Sequence, residues 1–307
     1  MNFRLPFFIF FFLTYSFHSF GQMAEKHFRI YSVKAGREVS LDVLTAEMKN
    51  HDVLFFGEEH NDSVGHYLQT SILKKLHLQF NNHLALSLEM FDRDVQTVMD
   101  EYLAGMIREK NFIKDARVWS NYSDYKPMVE FAKANYLPII CANAPGRYTN
   151  LAGRKGQKAL LDLTVQAKKY MAPLPYDTAS GKYHDKLTAL TSHNIAPGTD
   201  TSKKASVMAP GSFNLIEAQS LWDATMAWSI AEYLHKNKGK KVMHVNGRFH
   251  SDEGYAVVTQ LKKYGPGLRS LIISTGSDES FPNIDWSKTT QLGDYVIITD
   301  PAVPKTF

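Results

Sequence analysis

The sequence predicts an α/β fold: a mainly parallel sheet with helices on both faces and a helical insertion. Three observations lead there. Short apolar runs alternate with amphipathic helical stretches along the chain, the rhythm of strand–helix–strand units. Several of the runs stop at a glycine or a carboxylate, and no hairpin turn follows them. The run Val53-Leu54-Phe55-Phe56-Gly57-Glu58-Glu59-His60 also has a counterpart late in the chain, Val242-Met243-His244-Val245-Asn246-Gly247-Arg248-Phe249-His250, with Gly and His at the same spacing.

Composition bounds the answer. With 307 residues and 44% apolar side chains the chain can fill a full core, so it is not a disordered protein. The formal charge of +4 is modest, and lysines and arginines stand among acids rather than in blocks. A nucleic-acid partner is therefore not expected, because its electrostatic footprint is clustered.

At the start, Arg4 precedes a Phe-rich apolar run over residues 5–13, and Ser19-Phe20-Gly21 offers small residues ahead of Gln22. This is the layout of a secretory signal peptide, with cleavage expected near Gly21. A retained anchor needs about 20 apolar residues, and Thr14, Ser16, His18 and Ser19 interrupt this run too early. No cysteine lies nearby to carry a lipid. A periplasmic or secreted protein is expected, with residues 22–307 forming one domain.

Residues 28–33 alternate apolar and polar side chains, as an edge strand does. Ser40 can cap a short helix over residues 40–48 in which Leu41, Leu44 and Met48 share a face. The strand over 53–56 then turns at Gly57 and leads into a helix from Ser63 past Leu76. A second strand, 84–89, ends on Glu89, and residues 94–104 have helical spacing. Trp119, Tyr122 and Tyr125 precede a helix over 127–134. The third strand, 137–142, ends at Asn143 and contains Cys141, the only cysteine, which excludes an intramolecular disulfide and reads as a buried, inert thiol.

From residue 147 to 193 the pattern is helical but broken, with Met171-Ala172-Pro173-Leu174-Pro175 too proline-rich to continue a helix. Residues 195–212 are rich in Pro, Gly, Ser, Thr and Lys and read as a surface loop. Together, residues 147–212 form an expected lid insertion. A long helix over 214–236 follows, with Leu215, Ala218, Leu221, Trp222, Met226 and Ile230 on an apolar face. The strand 242–246, a helix over 252–263, and strands at 268–274 and 295–299 complete the alternation.

The candidate chemistry sits at strand ends: Glu58, Glu59, His60, Glu89 and His250. In an open α/β sheet, ligands collect beyond the carboxyl ends of strands. Imidazoles and carboxylates suit a divalent metal, with Glu58, Glu59, His60 and His250 as ligands and Glu89 free to act as base. The competing account pairs a glutamate with Arg248 and leaves the histidines capping loops. His66 is a secondary candidate, and Arg147, Arg154 and Lys155 flank the lid. There is no GxSxG elbow, Walker loop or GxGxxG, which disfavours a serine hydrolase, an NTPase and a dinucleotide enzyme.

These residues resemble the ChaN-type haem-binding uptake proteins of the Tiki, TraB and erythromycin-esterase-like superfamily. The resemblance rests on the Gly57-Glu58-Glu59-His60 turn, the strand ending in Glu89 with Met90-Phe91, the helix Gln219-Ser220-Leu221-Trp222-Asp223-Ala224-Thr225-Met226-Ala227, and the Gly247-Arg248-Phe249-His250 turn. It implies haem binding for iron acquisition, a tyrosine as iron ligand and two haems stacked between two subunits. A homodimer and an outer-membrane haem receptor are the implied partners. The lid offers Tyr148, Tyr170, Tyr176 and Tyr183 as ligands, with Tyr148 and Tyr176 put forward. The Tiki and esterase-like relatives imply instead hydrolysis at a site built on His60 and Glu89, to which the second turn adds His250; with the candidate metal ligands, the alternative function is a metal-dependent hydrolase, a peptidase or esterase.

Overall fold

In the computed structural model, which describes residues 26–193 and 213–307, the chain is built around an eight-stranded sheet in the order β2-β1-β8-β7-β3-β6-β4-β5. The strands are β1 Phe28–Ser32, β2 Arg37–Glu38, β3 Val53–Glu58, β4 Leu84–Asp92, β5 Ile139–Asn143, β6 Lys241–Gly247, β7 Ser270–Ser277 and β8 Tyr295–Thr299. Pairings among β3 to β8 are parallel, while β1 runs antiparallel to β2 and β8. The chain thus adopts the expected α/β class. The proposed signal peptide, 1–21, and the loop 195–212 lie outside the described residues.

The helices are α1 Leu41–Glu47, α2 Ser63–Phe80, α3 Gln96–Leu103, α4 Glu109–Asp115, α5 Tyr122–Ala134, α6 Gly146–Lys155, α7 Val165–Lys168, α8 Gly181–His193, α9 Leu215–Lys236 and α10 Ala256–Tyr264. Burial explains the uninterrupted apolar runs. In β3, Leu54 and Phe56 join Leu68, Ile72 and Leu88 on one face of the sheet, while Val53 and Phe55 join Met226, Ile230 and Val257 on the other. A strand covered on both sides has no polar face to display. β1 alternates buried and half-buried residues, as expected, and only the two-residue β2 lies outside it.

Caps set the helix starts. The Ser40 hydroxyl accepts from the Val43 N–H, the Asp62 carboxylate from Val64, and Asn214 from Ile216 and Glu217. At the sheet edge, the Gln96 amide of α3 takes the place of a neighbouring strand's peptide. It donates to the Ile139 carbonyl and accepts from the Cys141 N–H, both at 2.8 Å.

Some boundaries differ from the sequence pattern. β3 continues through Gly57 to Glu58, so this glycine lies in the strand and is not the turn. A Cβ there would sit 2.7 Å from the Ser251 hydroxyl and 2.9 Å from the Arg248 Cα, because the loop after β6 folds back over the strand. β4 likewise runs on to Asp92. Helix α10 starts at Ala256 rather than near Asp252, since Glu253 (φ 62°) and Ala256 (φ 46°) are left-handed and break the helix. In the described part of the insertion, Tyr148, Leu160, Met171 and Tyr176 form a small core against Leu221 and Ala224 of α9.

Candidate functional site

Parallel register brings the strand ends level. Glu58 of β3 pairs with Gly247 of β6, and Leu88 of β4 with Val245, so Glu89 emerges beside the loop that carries His250. His60, Glu89 and His250 therefore meet at one rim although they are far apart in the chain.

Two similar arrangements flank Glu89. On one side the His60 Nδ1 lies 2.7 Å from Glu58 Oε1, and the Tyr125 hydroxyl donates to the same oxygen at 2.7 Å. The other Glu58 oxygen accepts from Gln69. On the opposite side the His250 Nδ1 lies 2.6 Å from Asp223 Oδ1, and the Tyr183 hydroxyl donates to Asp223 Oδ2 at 2.8 Å. Each imidazole thus has a carboxylate behind it, and each carboxylate is held by a tyrosine. A carboxylate at Nδ1 fixes the ring orientation and turns Nε2 toward the reaction space.

Glu89 sits between them. One oxygen accepts from the Gly247 N–H at 2.7 Å and the other lies 3.6 Å from His250 Nε2. Gly247 leaves the space in which the His60 ring lies: an added Cβ would stand 2.8 Å from His60 Nε2, so the ring would have to move. The His60 side chain is 41% exposed while that of His250 is 9% exposed, so an incoming molecule meets His60 first. Trp119 packs edge-on against the His60 ring at 5.4 Å and forms a wall beside it.

Charge follows from this geometry. Burial opposes protonation of His250, but Glu89 and Asp223 outweigh it and raise the imidazole to about 9. Burial acts the same way on His60, and the Glu58 hydrogen bond with the Glu89 charge again raises it. His244, beneath them on β6, has no carboxylate; burial and the His250 charge depress it to about 3, leaving it neutral. The rim can therefore hold and return protons on either side of one carboxylate.

The other predicted residues are dispersed. Glu59 turns away from the rim, with Arg248 at 3.5 Å and the Ser277 hydroxyl at 3.3 Å. His66 is buried on α2, where it meets Gln69 at 3.2 Å and the His60 carbonyl at 3.1 Å. Both rim imidazoles turn Nδ1 to carboxylates and leave Nε2 toward the rim; among the described residues no group of three or more His, Cys, Asp or Glu side chains is placed to hold a metal ion. Sequence reasoning did not place Asp223, Tyr183 or Tyr125 at this rim: Tyr183 was named only as a lid tyrosine, Tyr125 only in the aromatic run before its helix, and Asp223 only within the α9 motif. Asp223 did carry a signal, an acid beside the apolar face of a long helix, which in a buried helix demands a partner.

The lid tyrosines differ in setting. Tyr148 is buried, yet Arg147 lies over its ring at 4.3 Å and donates to its hydroxyl at 3.2 Å, while also pairing with Asp94 at 2.5 Å. The Tyr176 hydroxyl is enclosed without a hydrogen-bond partner, and burial pushes it up. Tyr170 is half-buried and lines a cavity of about 380 Å³ along β5 with Arg93, Tyr233 and Lys236. Arg154 bonds Asn150 at 2.8 Å, and Lys155 is exposed.

Comparison with known proteins agrees with the fold. A structure of ChaN of Campylobacter jejuni, described with cofacial haem binding, is similar over 90% of this chain and 98% of that one, at 16% identity and a TM-score of 0.65. An erythromycin esterase mutant in its open conformation is similar over 90% of this chain and 83% of its own, at 10% identity and a TM-score of 0.46. The type III effector HopBA1 gives 84% and 92% coverage, 12% identity and a TM-score of 0.43. A search of curated proteins finds no match. The model of a family described as haem-binding uptake, Tiki superfamily, ChaN matches residues 44–261, more than half of the chain. The chain therefore belongs to the ChaN family of haem-binding uptake proteins in the Tiki superfamily.

Proposed function

We propose that this protein binds haem and serves iron acquisition as an exported protein. The family match over residues 44–261 carries this reading. The insertion supplies a setting that fits the group. When a phenolate oxygen ligates ferric iron it carries negative charge, and an arginine donating to that oxygen offsets it. Of the two tyrosines put forward, Tyr148 has such an arginine in Arg147, whereas the Tyr176 hydroxyl has no hydrogen-bond partner and has the Glu217 carboxylate near it, which opposes a second negative charge. Tyr148 is accordingly the proposed iron ligand, and Arg147 the group that balances it. When bound, the haem iron is the cargo, and this chain's part is to hold it. A homodimer and an outer-membrane haem receptor are the partners this role calls for. Among the described residues no helix is long and apolar enough to cross a membrane.

A hemin titration of the purified chain tests the proposal. A shifted Soret band that saturates at fixed stoichiometry is expected; an unshifted spectrum rejects haem binding. Tyr148→Phe should remove the ferric phenolate bands while Tyr176→Phe leaves them, and the reverse would move the ligand to Tyr176.

The rim favours a second reading, a hydrolase in which Glu89 takes a proton from water while a protonated rim imidazole, His60 or His250, supplies one to the leaving group. Its support is the convergence of His60, Glu89 and His250. Turnover of ester and peptide panels that is abolished by both His60→Ala and Glu89→Ala would establish it. Absence of any turnover would remove it.

A further inference from the structure

The insertion carries a surface that neither reading uses. Between α6 and α7 the chain forms a 3₁₀ turn, Gln157–Asp162. Its inward side chain Leu160 is fully buried, and Leu163 and Ala167 pack against the same small core. The outward side chains are Leu161 and Val165, 57% and 77% exposed. Residues three apart eclipse in a 3₁₀ turn, so Lys158 stands in line with Leu161. Spacings of three and four in α7 and its first flanking residue place Lys168 and Lys169 beside Val165. The Lys168 ammonium donates to the Leu161 carbonyl at 2.5 Å and closes the stripe.

The charge on this stripe is unbalanced. Asp162 is the one acid between residues 157 and 170. Lysines elsewhere pair with carboxylates, among them Lys75, Lys126, Lys186, Lys236 and Lys263. Lys158, Lys168 and Lys169 are in none of the ion pairs among the described residues; Lys168, half-buried, spends one hydrogen on the Leu161 carbonyl, and Lys169 also borders the cavity along β5. Two aliphatic tips projecting among unpaired ammonium groups suit a soft, laterally mobile layer of phosphates above hydrocarbon. A rigid protein partner would need fixed acceptors for the lysines, and free phosphate would have no use for Leu161 and Val165.

We propose that this stripe docks the protein on an anionic phospholipid surface. Lys158, Lys168 and Lys169 lie over lipid phosphates, and Leu161 and Val165 enter the headgroup layer. Each lysine near such a surface contributes about a fivefold gain in partition, so three contribute on the order of a hundredfold.

The experiment is co-sedimentation of the full chain with vesicles of phosphatidylcholine, with and without phosphatidylglycerol. Binding is expected only with phosphatidylglycerol, and it should fade between about 0.1 and 1 M salt as screening shortens from roughly 10 to 3 Å. The variant combining Lys158→Gln, Lys168→Gln and Lys169→Gln should bind about a hundredfold more weakly with an unchanged circular dichroism spectrum. Leu161→Ser with Val165→Ser should weaken binding and keep its salt dependence. The proposal is overturned by no partition onto phosphatidylglycerol vesicles, by equal partition onto pure phosphatidylcholine, or by undiminished binding of the triple variant. Displacement by free glycerophosphate would assign the lysines to a soluble anion and equally overturn it. Hemin binding is read separately, so failure here leaves the haem proposal standing.

Discussion

Replacing Asp223 by asparagine should lower the pH at which His250 loses its proton. His250 is buried, and its imidazole is held at about 9 against the penalty of burial by Glu89 and Asp223. A rise from 6.5 to about 9 corresponds to roughly 3 kcal/mol favouring the folded protonated form, at about 1.4 kcal/mol per pH unit. The sign follows from linkage. Because the folded value lies above the unfolded one, this stabilisation is fully present below about pH 6.5 and disappears as pH rises through about 9. Asp223→Asn removes one of the two supporting charges and leaves the burial penalty in place. His250 should then lose its proton at a lower pH than in the parent protein, and stability at pH 6 should fall by about 1–3 kcal/mol, with the gap to the parent protein narrowing above pH 9. Titration of the histidine Cε1–H resonances by NMR gives the first quantity, and urea unfolding across pH gives the second. A His250 signal that still titrates near 9 in Asp223→Asn would refute the assignment of the charge to this dyad.

Gly247→Ala should displace His60, because the new methyl would stand 2.8 Å from its Nε2. A cost of about 1–3 kcal/mol in urea unfolding is expected with a shifted His60 resonance, and an unmoved resonance contradicts the crowding. Gln96→Ala should strip the β5 edge of its amide cap, costing about 1–3 kcal/mol and raising light scattering on storage. Unchanged stability and scattering would mean that solvent replaces the cap without loss. Cys141 is buried, and burial pushes its thiol well up, so Ellman's reagent should label it only after unfolding. Rapid labelling of the native protein would show that the edge strand opens.

Much of the architecture was legible in the linear chain. A run such as Val53-Leu54-Phe55-Phe56 has no polar face and so requires cover on both sides, and its alternation with amphipathic helices points to a strand within a layered α/β sheet. Ser40 and Asn214 marked helix starts, and Glu89, His60 and His250 stood out as polar groups closing apolar runs. The repeated Gly-x-x-His spacing identified the two loops that meet at the rim.

Contacts decided the rest. Whether Glu58 or Glu59 serves the rim depends on strand alternation carried one residue past the apparent turn: Glu58 points to Tyr125 and Gln69, Glu59 to Arg248. Asp223 and Tyr183 join the site only because α9 and α8 pack over the loop after β6. The basic stripe on the insertion was invisible in composition, since its lysines are interleaved with Leu160, Leu163 and Ala167, and only folding separates the inward side chains from the outward ones. Spacing along a chain records the local periodicity of a helix or strand; it does not record which elements become neighbours, and charge balance at a site is a property of neighbours.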